Sequence, residues 1–277
     1  MALPRPVANA PKPTAETCVV SYPKCGRTWL RALVGKALVD HYALPAARLL
    51  DTGALAALAG LPSIGYHHDG TGMVDRRSWR DLQADKSDYR HNRVILLGRD
   101  VRDMLVSAYF QATRRIGAFD GPIQAFIRDE RFGVDKVLTF YRQWHAARHV
   151  PRAFTFLRYE AMHADPAGVL AHVLDFLGAR GVAPATIAAA VHFARFENLR
   201  SAEAENRFGD PALATDPNAD PDTFKVRKGK VGGFRDYLSA DDIAWIDACE
   251  AERGCEFTRP ADQWSAVPDP RSPDLPP

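Results

Sequence analysis

The chain has 277 residues, of which 46% are hydrophobic and 25% charged, the balance of an ordinary globular protein. Lys plus Arg is 36 against 34 Asp plus Glu, a formal charge of +2, which excludes a protein basic over its whole surface, as a nucleic-acid binder would be. With 19 Gly and 20 Pro the chain is neither collagenous nor mostly disordered.

Residues 1–14 are rich in Pro and Ala and are expected to form a flexible tail. The opening MALPRPVANAPKP has no apolar core of the kind a secretory signal needs. Thr17 to Tyr22 (TCVVSY) predicts a short buried strand. A turn, PKCGR, follows. From Thr28 the apolar Leu30, Leu33, Val34, Ala37 and Leu38 recur at helical spacing. A second strand is predicted over Arg93 to Gly98, with Asp100 capping a helix that runs to about Thr113. Val134 to Arg148 places Val134, Val137, Leu138 and Tyr141 on one helical face. Phe154 to Tyr159 is a third strand; Asp165 then caps a helix with Pro166 at its first position and Gly178 at its end. Asn206 to Asp222 has no apolar period and predicts a mobile loop. Ser239 with Asp242 makes a capping box ahead of a last helix carrying Ile243, Trp245, Ile246 and Cys249. From residue 259 the chain returns to a Pro-rich flexible tail.

Strands alternating with helices predict a single α/β domain over residues 15–258, with a mostly parallel central sheet flanked by helices. The four cysteines, Cys18, Cys25, Cys249 and Cys255, form no CxxC pair, which leaves a zinc ribbon or thioredoxin-type site without support. No apolar run approaches the ~18 residues of a membrane span. The expectation is a cytoplasmic protein with reduced thiols.

The first loop carries chemistry. In Tyr22-Pro23-Lys24-Cys25-Gly26-Arg27-Thr28-Trp29 a strand ends, Pro23 stiffens the turn and Gly26 lets the backbone approach a ligand. The amides of Gly26, Arg27 and Thr28 open a helix, where free N–H groups and the helix dipole attract phosphate or sulfate. Lys24 adds a charge, Thr28 a hydroxyl donor, and Trp29 a flat face on which a base could stack. The P-loop motif GxxxxGK[ST] is absent. Cys25 and Arg31 stand at the C-x5-R spacing of cysteine phosphatases, in which a low-pKa thiolate attacks phosphorus. The large Trp29 and Leu30 inside that loop, and Ala32 after the arginine, speak against it.

The second cluster repeats the pattern of strand, cation and capped helix. Arg99 stands at the carboxyl end of its strand, where open α/β sheets bind ligands, and Ser107 lies about two helical turns on. Arg99 and Ser107 together suit a second phosphate; a surface salt bridge between Arg99 and Asp103 is the other reading. KVRKGKVGGF then brings Lys225, Arg227, Lys228 and Lys230 among glycines, a basic segment able to close over an anionic ligand. Two phosphate-sized clusters and a basic lid suggest a nucleotide phosphorylated at two separate places.

These segments together resemble the cytosolic-type sulfotransferases that use 3′-phosphoadenosine 5′-phosphosulfate (PAPS). YPKCGRTW is similar to the family's YPKSGTTW, Arg99 and Ser107 match its 3′-phosphate pair, and Arg227-Lys228-Gly229 match its RKG motif. The segment FLRYEAMHADP, followed by FLG at Phe176 to Gly178, is similar to the family's strand-YED-helix segment. The resemblance covers most of the chain in the right order. It implies that Lys24, with His68 and Ser107, belongs to the catalytic set. It further implies that Gly26, Arg27 and Thr28 cradle the 5′-phosphosulfate, and that Trp29 and Phe196 flank adenine in a pocket shaped by Tyr159. Arg99, Ser107, Arg227, Lys228 and Gly229 would hold the 3′-phosphate. The general base would be His68, with His67 as rival; in a strand the two point to opposite faces. No metal is implied.

The chain departs from the family pattern in places. Cys25 replaces Ser and Arg27 replaces Thr. Gly233-Phe234 replaces Asp-Trp. The KxxxTVxxxE dimer motif, which falls at Arg235 to Ala244, is not retained, so the resemblance leaves the oligomeric state open. The implied reaction is sulfuryl transfer from PAPS to a hydroxyl or amine of a small-molecule or carbohydrate acceptor. The acceptor would lie among Leu61 to Val74, the stretch after Ala112, and Asn206 to Thr223. The other readings are a regulatory module that binds PAPS or its product PAP without transfer, and the cysteine phosphatase above.

Overall fold

The computed structural model describes residues 13–208, 215 and 221–259. Nearly all of the expected tails and most of the Asn206–Asp222 loop lie outside these residues. Four parallel strands, β1 (Thr17–Ser21), β2 (Ile64–His67), β3 (Arg93–Gly98) and β4 (Ala153–Arg158), are ordered β2-β1-β3-β4. In β1 every residue is buried, and in β3 every residue from Val94 onward, as a sheet covered on both faces requires. The chain crosses from β1 outward to β2 and from β3 outward to β4. Right-handed crossovers running in opposite directions place their helices on opposite faces.

The first face carries α1 (Arg27–His41), which packs on α2 (Thr52–Leu58), α7 (Pro166–Leu177) and α8 (Pro184–Phe193). The second carries α3 (Val101–Phe110), which packs on α4 (Ile123–Arg128) and α5 (Val134–Ala146), with α10 (Ala240–Arg253) against α5. Helices α6 (Tyr159–Ala164) and α9 (Phe196–Ala204) complete the fold. Among the described residues the largest fully buried aromatic side chains, Trp144, Tyr141, Phe126, Phe132 and Phe140, all belong to the second face. Burying each such ring contributes roughly 1.5–3 kcal/mol.

The predicted caps are present. Asp100 accepts from the amides of Arg102 and Asp103, Asp165 from Gly168, and Ser239 from Asp242. Gly178 closes α7 at φ +85°, a backbone region that favours glycine. One predicted helix ends differently. The helix from Asp100 is α-helical to Phe110 and continues as a π-helical turn, Gln111–Arg115, closed by the Ile116 amide on the Gln111 carbonyl.

The carboxyl ends of all four strands share one edge of the sheet. There the loop after β1, the His68 turn after β2, Arg99 after β3 and Tyr159 after β4 come together. The strand order reverses between β1 and β3, where open parallel sheets form their ligand crevice.

Candidate functional site

The loop after β1 is held in an unusual backbone. Lys24 has φ +75° and Gly26, the residue capping α1, has φ +89°. A Cβ on Gly26 would lie 2.6 Å from Cδ2 of Tyr159, so only glycine lets the loop lie against that ring. No side chain caps α1 and its first turn holds no acid, leaving the leading amides available to an anion. Trp29 packs edge-on against Tyr159 (5.7 Å between ring centroids) and against His163 (4.7 Å). Arg27 is half-buried, its Nη1 shielded from water and without a hydrogen-bond partner. Burial and then Arg31 hold its guanidinium down to about 10.

The structure turns Cys25 away from this loop. Its thiol is buried, 3.4 Å from Sδ of Met104 and 3.3 Å from the Tyr141 hydroxyl. Burial pushes its pKa up to about 12, the opposite of an activated thiolate. Arg31 donates from Nε to the Leu50 carbonyl at 2.8 Å. Neither half of the phosphatase motif reaches the crevice. Cys25→Ser is therefore expected to keep turnover within a few-fold of the parent in a transfer assay; complete loss would restore the thiol as a nucleophile.

Lys24 Nζ donates to Oε1 of Gln111 (3.2 Å). The π-helical turn begins at Gln111. Burial, followed by the charges of Lys225, Arg115 and Arg99, pulls the Lys24 ammonium down to about 7. A lysine placed among three cations is a site short of negative charge.

β2 ends at His67, in register with Val20, so His68 begins the turn that follows. Its Nδ1 lies 2.9 Å from the Ser21 carbonyl. A carbonyl only accepts, so Nδ1 carries the proton and Nε2 keeps its lone pair. Burial, and then Arg27, hold the ring neutral, with a pKa near 4. Asp69, at φ +46°, anchors the turn. It accepts from the Tyr89 hydroxyl (3.2 Å) and Trp144 Nε1 (2.9 Å), and pairs with the buried Lys86 ammonium (2.7 Å). His67 packs edge-on to Tyr89 (6.4 Å).

The remaining cations come from distant segments. Arg99 stacks over Tyr159 (4.2 Å) and donates to the Lys24 carbonyl (3.1 Å). Asp103 is not its partner; that carboxylate accepts from the amides of Gly232 (2.6 Å) and Phe234 (2.8 Å). Ser107 is buried two turns into α3. Arg227 stacks over Phe110 (4.3 Å) and donates to the Tyr237 hydroxyl (2.8 Å). Lys228 reaches outward to Asp236 (3.0 Å). Gly229, at φ +59°, lies so close to Phe196 that a Cβ would meet its ring at 2.4 Å.

Gln111, Asp69, Asp103 and Glu203 were not visible as site residues in the sequence. Glu203 is buried in α9 and accepts from the amides of Lys225 (2.6 Å) and Val226 (2.8 Å). Nothing local marks these residues, since their partners lie tens to more than a hundred positions away.

A family model for a sulfotransferase domain matches residues 15–253. The chain belongs to the sulfotransferase family. It is a PAPS-dependent sulfotransferase, as the resemblance implied. Cytosolic sulfotransferase 17 of Arabidopsis thaliana is 25% identical over 260 residues, covering 85% of this chain and 73% of its own. The flavonol 3-sulfotransferase of Flaveria bidentis is 22% identical over 262 residues, covering 83% and 78%. Among solved structures, retinol dehydratase in complex with androsterone and inactive cofactor PAP superposes with a TM-score of 0.58. It has 19% identity and covers 87% of this sulfotransferase and 82% of that chain. Mouse sulfotransferase SULT7A1 complexed with PAP also gives 0.58, at 21% identity, covering 88% and 86%.

The residues present fit a doubly phosphorylated nucleotide. Arg27 Nη1, Arg99 Nε and Arg227 Nε are each shielded from water and lack a hydrogen-bond partner, a costly state that an anion relieves. Gly26 and Gly229 bring backbone and aromatic rings together where a side chain would intrude. Among the described residues no group of three or more His, Cys, Asp or Glu could hold a metal ion. None of the described helices is long and apolar enough to cross a membrane.

Proposed function

We propose that this sulfotransferase, with residues 15–258 as its catalytic domain, sulfates a hydroxyl or amine of a small-molecule or carbohydrate acceptor. The reaction is in-line displacement with His68 as general base. The observation that carries the reading is the hydrogen bond from His68 to the Ser21 carbonyl. It fixes the neutral tautomer and leaves Nε2 to receive a proton, beside the strand whose loop bears Lys24.

PAPS, as substrate, supplies the sulfuryl group and a phosphate leaving group. His68 takes the acceptor's proton as the acceptor oxygen or nitrogen bonds to sulfur and the bond from sulfur to the phosphate oxygen breaks. Lys24 and the amides at the head of α1 stabilise the charge that builds on the departing phosphate. Arg27 and Thr28 hold the 5′-phosphosulfate. Trp29, Phe196 and Tyr159 enclose the base. Arg99, Ser107, Arg227, Lys228 and Gly229 hold the 3′-phosphate. The names of the cytosolic relatives support a cytoplasmic location.

Calorimetry with PAP tests the charge logic. An anion beside Lys24 raises its pKa, so the bound form carries the proton that the free form loses near pH 7. PAP affinity is therefore expected to fall as pH rises from 6 to 8, with up to one proton taken up on binding near neutrality. A pH-independent affinity with no proton uptake would remove Lys24 from the phosphate site.

A further inference from the structure

Beside His68 lies a cavity of about 260 Å³. Tyr66, His67, Asp75, Arg77 and Tyr89 line it with His68, and Asp69, Gly70 and Gly72 complete the wall. No aliphatic side chain is among them. The two tyrosine hydroxyls are engaged, Tyr66 with Thr52 (2.7 Å) and Tyr89 with Asp69 (3.2 Å). Tyr89 is only 5% exposed, edge-on to His67 and Trp144, so the ring a ligand meets is that of Tyr66, which Arg31 covers from one side (5.3 Å). His67, held neutral by burial, offers one donor and one acceptor. Asp75 brings a carboxylate and Arg77 a guanidinium.

Such a wall suits one kind of molecule. Apolar fused rings need an apolar lining; against this one they would strip water from polar groups and return no hydrogen bond. A saturated ring with a C–H face and a rim of hydroxyls meets both demands, with its face on Tyr66 and its rim on Asp75, Arg77 and His67. The volume is below the roughly 300–1,000 Å³ of pockets for drug-sized ligands, which suits one ring rather than several.

We infer that the acceptor is a polyhydroxylated ring of monosaccharide size (a sugar, amino sugar or cyclitol) that seats in this cavity and presents one hydroxyl to His68. The inference rests on the proposed role of His68. It departs from the flavonol and androsterone named for the relatives. The step itself is unchanged: His68 Nε2 receives the hydroxyl proton, a sulfur–oxygen bond forms to the ring, and the one to phosphate breaks.

The test uses the full chain with sulfur-35-labelled PAPS. The acceptors are methyl glucoside, glucosamine and myo-inositol, set against 1-naphthol and a 3-hydroxysteroid. The best polyhydroxylated acceptor is expected to exceed both apolar ones in kcat/KM by about tenfold or more. Asp75→Ala and Arg77→Ala are each expected to raise its KM about tenfold, with kcat changed less and PAP affinity retained. Preference for naphthol or the steroid, no transfer to any polyhydroxylated ring, or an unchanged KM in both variants overturns the inference. PAP titration separates the two kinds of failure. A chain that binds PAP but prefers naphthol loses only the cavity assignment; one that binds no PAP loses the donor site as well.

Discussion

His68→Ala is expected to lower kcat by about 10²–10⁴-fold, the range for removing a positioned general base, while PAP affinity changes little. The imidazole hydrogen-bonds to a backbone carbonyl at the sheet edge rather than to the residues proposed to hold the nucleotide. The pH profile supplies a sharper signature. In the proposed mechanism the active form is the neutral ring, and burial with Arg27 places its pKa near 4. As pH falls from 8, the base stays competent through the range where an ordinary histidine would protonate, and activity fails only toward pH 4. On the alkaline side free Lys24 loses its proton near pH 7, so kcat/KM should decline there, while kcat holds to higher pH because bound phosphate keeps the ammonium charged. Stopped assays from about pH 3.5 to 9 measure both limbs. An acid limb near 6.5, or a His68→Ala enzyme at parental kcat, would transfer the base role elsewhere.

Lys24→Ala is expected to cost about 10²–10³-fold in kcat, the scale for losing one preplaced charge-stabilising donor. The fold should survive. Alanine occupies the φ +75° backbone no worse than lysine, since both carry a Cβ. The substitution also removes a charge that Lys225, Arg115 and Arg99 repel. Thermal unfolding is the control, and single-turnover transfer with labelled donor is the readout. A variant that unfolds at the parental temperature and transfers at the parental rate would place the stabilisation of the leaving phosphate on another residue.

Much of this was legible because it is local. A buried strand followed by a glycine turn and a helical period is written in adjacent residues, as are the caps Asp100, Asp165 and Ser239. β2 was not predicted as an element. It is a four-residue edge strand with Gly65 in it and three partly exposed positions, so neither a buried run nor alternation marks it. The preference for His68 over His67 came from resemblance; in the structure the strand stops at His67 and the next ring turns back to the Ser21 carbonyl. The π-helical turn at Gln111 carries no helix-breaking residue, so a helix continuing to Thr113 was the natural expectation. Asp103 looked like a surface partner for Arg99, and only the folded chain brings it under Gly232 and Phe234, some 130 residues on.

Those two amides, with the pair held by Glu203, bear on the proposed grip of the basic segment on the donor. The basic segment was expected to be a flexible lid. Its ends are instead tied down by two buried carboxylates, Glu203 beneath Lys225 and Val226 and Asp103 beneath Gly232 and Phe234. The stretch between them, residues 227–231, is short and includes the Arg-Lys-Gly trio. Loop-closure entropy is lost at folding, to carboxylates that hydrogen-bond backbone amides. With Arg227, Lys228 and Gly229 in their proposed role on the 3′-phosphate, a nucleotide arriving at this strap would meet groups whose freedom is already spent, and more of the attraction to its phosphates would survive as affinity.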